Sequence, residues 1–219
     1  MHNVTVAFAV LLVMLLSYFF GCFNGSFMVS HFIIRDDVRK HGSGNAGLTN
    51  FYRTYGAKYA LLVIACDMGK TVAACLLGSF FFRCLGWDGT LGTLLAGLGC
   101  ELGHIFPVFY GFRGGKGILS GGTLVLLLNW RVAAVAWALF LLLWLTTRYV
   151  SLASLTATCS APITVYFVYG HNWLYTSLCL AVAALVVWCH RENIQRLLHG
   201  TEKKFKWHVN PTEGKDPPK

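Results

Sequence analysis

Apolar residues run along this chain in long blocks separated by short polar stretches. Val4–Cys22, Lys58–Phe82, Thr90–Phe106, Leu152–Tyr169 and Trp173–Cys189 each approach the roughly 20 residues that carry a helix across about 30 Å of hydrocarbon. A further block, Ile118 to Thr146, is interrupted by Asn129-Trp130-Arg131. The pattern predicts an all-α, polytopic membrane helix bundle. The block at Met1 to Phe23 has no positive leading region and no clear A-x-A cleavage site, so it reads as a retained span. No internal repeat is evident. Residues 1–206 read as a single integral membrane domain, and 207–219, charged and carrying Pro211, Pro217 and Pro218, as a disordered tail.

Charge decides how the interrupted block is divided. Basic residues stay on the cytoplasmic side of a membrane. Segment 35–58 carries Arg35, Arg39, Lys40, Arg53 and Lys58 against Asp36 and Asp37. Segment 190–219 carries Arg191, Arg196, Lys203, Lys204, Lys206, Lys215 and Lys219 against four acids. Both belong inside, with Arg113 and Lys116. A single crossing from Ile118 to Thr146 would put the tail on the wrong side, and a break at Asn129–Arg131 restores agreement. The expectation is seven transmembrane helices, N-terminus outside and C-terminus cytoplasmic, with Ile118–Leu128 a short fourth span, tilted or partly re-entrant.

Composition narrows the chemistry. Charged residues are 12% of the chain, against about 25% in a soluble globular domain. The net charge of +9 therefore reads as loops facing an anionic leaflet, not as a nucleic-acid surface. The eight cysteines form no C-x-x-C and sit mostly in or beside apolar runs, as small hydrophobes do. No metal site and no cofactor is expected.

Three polar segments share the inner face. In the first, Gly42, Gly44 and Gly47 alternate with Ser43, Asn45, Thr49 and Asn50, and Arg53 follows. Such a run can surround an anion with backbone and side-chain donors, and Arg53 adds a planar fork suited to phosphate oxygens. An ordinary polar turn has the same composition. In the second, His104 and Pro107 mark where helix gives way to irregular backbone, and Gly114-Gly115-Lys116-Gly117 follows. Glycines let amides converge on an anion, and Lys116 supplies a point charge. In the third, Ile194, Leu197 and Leu198 fall at helical spacing, so His190 to Leu198 is an amphipathic helix at the interface. His190 and Asn193 lie near one face of it.

Together these segments resemble the bacterial acyl-phosphate:glycerol-3-phosphate acyltransferases of the PlsY type, over nearly the whole chain. Gly42 to Asn50 with Arg53 is similar to the family's first motif, Gly103-His104 through Gly117 to its second, and His190 through Lys203 to its third. Gly25-Ser26, Asp37-Val38-Arg39, Asp67 with Lys70, and Ser151 to Ser154 add secondary matches. Arg113 stands where the family often has lysine, and Ile118-Leu119-Ser120 where it has a Val-Ala-Thr run.

The resemblance implies transfer of a fatty acyl group from acyl phosphate to the 1-hydroxyl of glycerol 3-phosphate. The products are lysophosphatidic acid and inorganic phosphate, and the reaction is the first step of phospholipid synthesis. It implies seven spans, a bacterial inner (plasma) membrane location with the site facing the cytoplasm, and contact with membrane lipids. A functional link to the enzyme that forms acyl phosphate follows. Ser43, Arg53, His190 and Asn193 take catalytic roles. Gly42, Gly44, Asn45, Gly47, Asn50, His104, Gly114, Gly115, Lys116, Gly117 and Ser154 take substrate-binding roles. His190 and His104 are candidate proton acceptors, since histidine titrates near neutrality; the resemblance implies instead a phosphate oxygen of the donor as base, with His190 and Asn193 orienting the hydroxyl, and no acyl-enzyme on Ser43. Two phosphates held 4 Å apart repel by about 4 kcal/mol per pair of unit charges at an effective dielectric of 20, so several cations must converge on them.

Other polar residues have structural readings. Asp67 and Lys70 are spaced for an ion pair within the bundle, and Glu101, one turn before the His104 loop, reads as a brace for that loop or for Lys116 ahead of a catalytic role. Gly99 and Gly103 form a helix-packing pair, and Pro162 kinks its span. A transporter of phosphate or phospholipid would also use glycine loops and cations. It would show paired repeats and a midplane site, whereas the polar motifs here gather on one face. A membrane anchor for a peripheral protein would leave both glycine loops unexplained.

Overall fold

A computed structural model describes residues 2–206. The helices are α1 (His2–Cys22), α2 (Gly25–Met28), α3 (Leu48–Tyr55), α4 (Ala60–Cys84), α5 (Gly89–Ile105), α6 (Ile118–Leu128), α7 (Trp130–Thr147), α8 (Val150–Val168), α9 (Trp173–Cys189) and α10 (Arg191–Leu198). A π-helical turn, Val29–Ile33, continues α2, and short 3₁₀ turns lie at Val38–Lys40 and Val108–Tyr110. The tail assigned to 207–219 lies outside the described residues.

Five segments are long and apolar enough to cross a membrane: Val4–Ile33, Ala60–Cys84, Gly89–Tyr110, Trp130–Thr147 and Val150–Val168. Trp173–Cys189 and Arg191–Leu198 meet at a 60° bend and make a sixth if taken together. The eleven residues of α6 span only about 17 Å at roughly 1.5 Å per residue, short of the hydrocarbon thickness. The break expected at Asn129 is present. Asn129 takes extended backbone and its side chain accepts from the Arg131 amide, capping α7. Asp88 and Asn172 cap α5 and α9 in the same way. Pro162 lies inside α8 without ending it.

The bundle is organised around α5, which packs on α1, α4, α6 and α9. Gly99 and Gly103 lie directly against the α1 backbone at Met14 and Tyr18, where any side chain would collide. A second group, α7, α8 and α9, packs on α6 through α7 and α8. Its core holds Leu128, Val132 and Val165, with Val132 and Val165 wholly buried. The two groups meet around α6 and leave a cavity between them that opens at the end carrying all three polar segments.

Candidate active site

The cavity has a volume of about 620 Å³. Its polar end is lined by Ser43, Arg53, Lys116, His190, Asn193 and Glu202. Its other end is apolar, running between α6, α7, α8 and α9.

The first polar segment folds into a loop that Asn50 holds from inside. Asn50, 5% exposed, accepts from the Ser43 amide at 2.9 Å and donates to the carbonyls of Val38, His41 and Asn45 at 3.0–3.1 Å. Gly42 has a φ of +59° and lies so close to the Asn50 amide that only glycine fits. The following chain forms α3, which was not anticipated and which carries Arg53 to the cavity. Asn50 therefore shapes the loop, and Ser43 stands exposed at the mouth.

The second glycine loop corrects an expectation. The amides of Gly114 and Gly115 do not converge on the cavity. They donate to the carbonyls of Ile105 and His104, at 3.1 and 3.0 Å, and so fold the loop back onto the end of α5. Gly115 packs on the His104 ring, and Gly114 on the His104 and Ile105 carbonyls, which leaves no room for a Cβ. The Gly114 carbonyl accepts from the Ala46 amide at 3.3 Å, so the two glycine loops are joined to each other. Asn45 Nδ2 lies 3.5 Å from the same oxygen. What the loop presents to the cavity is Lys116 and Gly117, not a ring of amides.

Lys116 Nζ donates to Asn193 Oδ1 on α10. Asn193 Nδ2 donates in turn to Glu202 Oε1 at 2.8 Å, which fixes the orientation of the amide. Glu202 also accepts from Ser151 Oγ at 2.8 Å and from Arg196 Nε at 2.7 Å. Burial works to raise the Glu202 pKa, but the hydrogen bonds from Arg196, Asn193 and Ser151 outweigh it and hold the carboxyl below the usual range. Burial, then the nearby Arg196 charge, lowers the Lys116 pKa. The segment after α10 crosses the site as a strap. The Lys203 carbonyl accepts from Arg53 Nη2 at 3.0 Å, the Phe205 amide donates to the Arg148 carbonyl at 2.8 Å, and the Phe205 ring stacks on Tyr52.

The two histidines are held in opposite tautomers. His190, at the α9–α10 bend, places Nδ1 2.8 Å from the Val186 carbonyl, which can only accept. Nδ1 therefore carries the proton, and Nε2 of the neutral ring keeps its lone pair. His104 Nδ1 lies 2.8 Å from Lys70 Nζ. Lys70 is also 2.8 Å from Asp67 Oδ1, and donates to the carbonyls of Phe23 and Gly21 at 3.0 and 3.1 Å. A charged lysine cannot accept, so His104 Nδ1 accepts and Nε2 keeps the proton. Asp67 further accepts from the Gly25 amide at 3.0 Å. The expected Asp67–Lys70 ion pair is thus one part of a cluster joining α1, α2, α4 and α5.

Of the residues singled out from the sequence, the cavity collects Ser43, Asn45, Gly47, Asn50, Arg53, His104, Lys116, Gly117, Ser154, His190 and Asn193. Gly42, Gly44, Gly114 and Gly115 do not border it. Ser151 is committed to Glu202, and Glu101 lies buried against Gly117 and Gly121 at the start of α6. Sequence reasoning missed Glu202, although it falls within the third motif. An acid placed directly before Lys203, Lys204 and Lys206 was the available signal.

A bundle of apolar helices enclosing a cavity that is cationic at one end and apolar at the other defines a multi-pass membrane protein shaped to hold an anionic group joined to a hydrocarbon. Residues 11–200 match the family Glycerol-3-phosphate acyltransferase. A glycerol-3-phosphate acyltransferase from Syntrophomonas wolfei is 38% identical over 88% of this chain and 95% of its own length. One from Finegoldia magna is 38% identical over 86% and 92%. The crystal structure of PlsY (YgiH), an integral membrane glycerol 3-phosphate acyltransferase, in its glycerol 3-phosphate form aligns with a TM-score of 0.80. It has 36% identity and covers 90% of this chain and 96% of that one. The lysophosphatidic acid form aligns with a TM-score of 0.78. The chain belongs to the glycerol-3-phosphate acyltransferase family of the PlsY type, and is an acyltransferase of phospholipid biosynthesis.

Proposed function

We propose that this enzyme transfers a fatty acyl group from acyl phosphate to the 1-hydroxyl of glycerol 3-phosphate. The observation that carries the reading is the continuity of the cavity, from Arg53 and Lys116 at its polar end to the apolar channel between α6, α7, α8 and α9. A soluble dianion and a lipid-tailed phosphate have opposite solvation demands, and this shape meets both. Arg53, Lys116 and Arg196 offset the repulsion between two substrate phosphates. The glycerol hydroxyl oxygen attacks the acyl carbonyl carbon, and the bond from that carbon to the phosphate oxygen breaks. The hydroxyl proton passes to an oxygen of the departing phosphate, so lysophosphatidic acid and inorganic phosphate leave and no acyl-enzyme forms. His190 Nε2 orients the acceptor by accepting a hydrogen bond from its other hydroxyl, which leaves the attacking hydroxyl's proton directed at the phosphate oxygen, and Asn193 with Ser43 stabilises the charged oxygens. Ser154 borders the path of the donor.

The reading includes seven crossings of the bacterial inner membrane, with the N-terminus outside and the site facing the cytoplasm. The short α6 serves as the fourth crossing beneath the Lys116 loop. The donor connects the enzyme functionally to whichever enzyme forms acyl phosphate. The experiment incubates purified protein with acyl phosphate and labelled glycerol 3-phosphate. Formation of lysophosphatidic acid with release of inorganic phosphate is expected. An intact fold without product overturns the reaction, and equal turnover with acyl-CoA overturns the donor.

A further inference from the structure

The apolar channel has a definite end. On each of its four helices the residues bordering the cavity form a stripe, and the four stripes stop at one level. The last bordering residue is Val125 on α6, Ala136 on α7, Ala161 on α8 and Cys179 on α9. One helical turn further along each stripe stand Leu128, Val132, Val165 and Tyr175. These four do not border the cavity. They close the cluster in which Val125, Ala136, Ala161 and Cys179 are also members. Val132 and Val165 are wholly buried, and the Tyr169 hydroxyl donates to the Leu128 carbonyl at 2.7 Å, so the layer beneath is packed and tied. From His190 to Cys179 and from Ser151 to Ala161 the channel descends about 15–17 Å at roughly 1.5 Å per residue. Three of the four bordering residues at the bottom are Ala or Cys, so small side chains set its depth.

We propose that Val125, Ala136, Ala161 and Cys179 form a floor that sets the acyl-chain preference of the enzyme. The inference rests on the reading of the channel as the acyl site. A donor whose tail reaches this floor buries its full length. A longer tail must bend or leave through the side of the bundle, and so gains less per added methylene. Ala161 and Ala136 border the cavity at this level from the packed neighbouring helices α8 and α7, and enlarging either raises the floor by about one side-chain length.

The test uses the purified full-length enzyme, glycerol 3-phosphate and a series of acyl phosphates from medium to long chain, and reads the ratio of kcat/KM for long over medium donors. Ala161→Val, Ala161→Leu and Ala161→Phe are expected to lower that ratio stepwise, by at least about tenfold at Phe, because one methylene excluded from an apolar pocket costs 10–200-fold in discrimination. Val165→Ala, which removes packing below the floor, is expected to raise it. Binding of lysophosphatidic acids of the same lengths reads the floor without turnover and shifts in the same order. An Ala161 series that folds and keeps the wild-type ratio, or that loses all chain lengths in parallel, overturns the floor. A wild-type enzyme that binds lysophosphatidic acids with this length dependence but uses no acyl phosphate leaves the floor standing and overturns the donor assignment. Should Ala161→Phe fail to fold, Ala136→Leu applies the same test from the opposite helix.

Discussion

Lys116 donates to Asn193 Oδ1 and so joins the loop after α5 to the amphipathic helix α10, 77 residues further along the chain. The contact orders both partners. Asn193 keeps its Oδ1 toward Lys116 because its Nδ2 is committed to Glu202. Lys116 is thereby held at the mouth of the cavity beside Arg196, with its extended side chain restrained before substrate arrives.

This relationship predicts coupled losses. Lys116→Ala should lower kcat/KM for glycerol 3-phosphate by about ten- to a hundredfold, from the roughly 1.5–3 kcal/mol of a charged hydrogen bond. Asn193→Ala should do the same through misplacement of Lys116. The double variant should lose less than the sum, with a coupling of about 0.5–3 kcal/mol measured in a double-mutant cycle. Strict additivity would mean that the two act independently.

The five long apolar helices, and a sixth where α9 meets α10, were legible because each is a run of apolar residues whose length the bilayer dictates, and the break at Asn129 followed from charge placement alone. The three motifs were legible because glycine, asparagine and arginine rarely cluster between such runs. The division of labour within them was not. Gly114 and Gly115 read as an amide cradle, yet their amides close the loop on His104 and Ile105. Which carbonyl an amide meets depends on how the chain returns to α5, and glycine permits both outcomes. Asn50 read as a substrate ligand, and its amide also braces the loop from inside while it borders the cavity, which no local pattern announced. Glu202 escaped notice because its partners lie on α8 and α10, and the Arg53–Lys203 contact spans 150 residues. No local pattern encodes contacts at that separation. The floor of the channel is likewise a level shared by four helices, invisible along any one of them.

Glu202 gathers hydrogen bonds from Ser151, Asn193 and Arg196, so its removal should cost both order and activity. Glu202→Ala is expected to destabilise the enzyme by about 1–3 kcal/mol. A chain of this size loses roughly 2–4 °C in Tm per kcal/mol, measurable by thermal unfolding in detergent. The sign of the pH effect follows from the lowered Glu202 pKa. The folded state binds this proton less readily than the unfolded chain, so the stabilisation is present above the ordinary value of 4.5 and fades as pH falls through the folded value. Glu202→Gln should flatten the acid side of the Tm-versus-pH curve, and an unchanged acid limb would assign it to other carboxylates.

The Asp67–Lys70 pair is almost fully enclosed, with side-chain exposures of 2% and 4%. Removing one partner strands a charge in the bundle, and Asp67→Ala is expected to cost about 3–5 kcal/mol. It should also release His104 from its tautomer, because Lys70 then lacks the carboxylate that holds it. Replacing both, as Asp67→Leu with Lys70→Met, should recover much of the stability. Thermal unfolding of the single and double variants checks this, and a double variant no better than Asp67→Ala would show that the backbone contacts of Lys70 at Gly21 and Phe23 matter more than the pair.

The environment of Lys116 sets a limit on alkaline activity. Burial first, and the Arg196 charge second, lower its pKa from 10.5, while Glu192, Glu202 and Cys189 act the other way and are outweighed. A lowered pKa means that Lys116 loses its proton at a lower pH than an exposed lysine. Phosphate binding needs the charged form, so kcat/KM for glycerol 3-phosphate should fall as pH rises, beginning below the ordinary lysine range. That parameter reports the free enzyme, in which the shift arises. Arginine keeps its charge across this range, so Lys116→Arg should lose activity overall through altered geometry yet move the alkaline limb to higher pH. A limb at the same pH in the wild type and Lys116→Arg would assign the titration to another group.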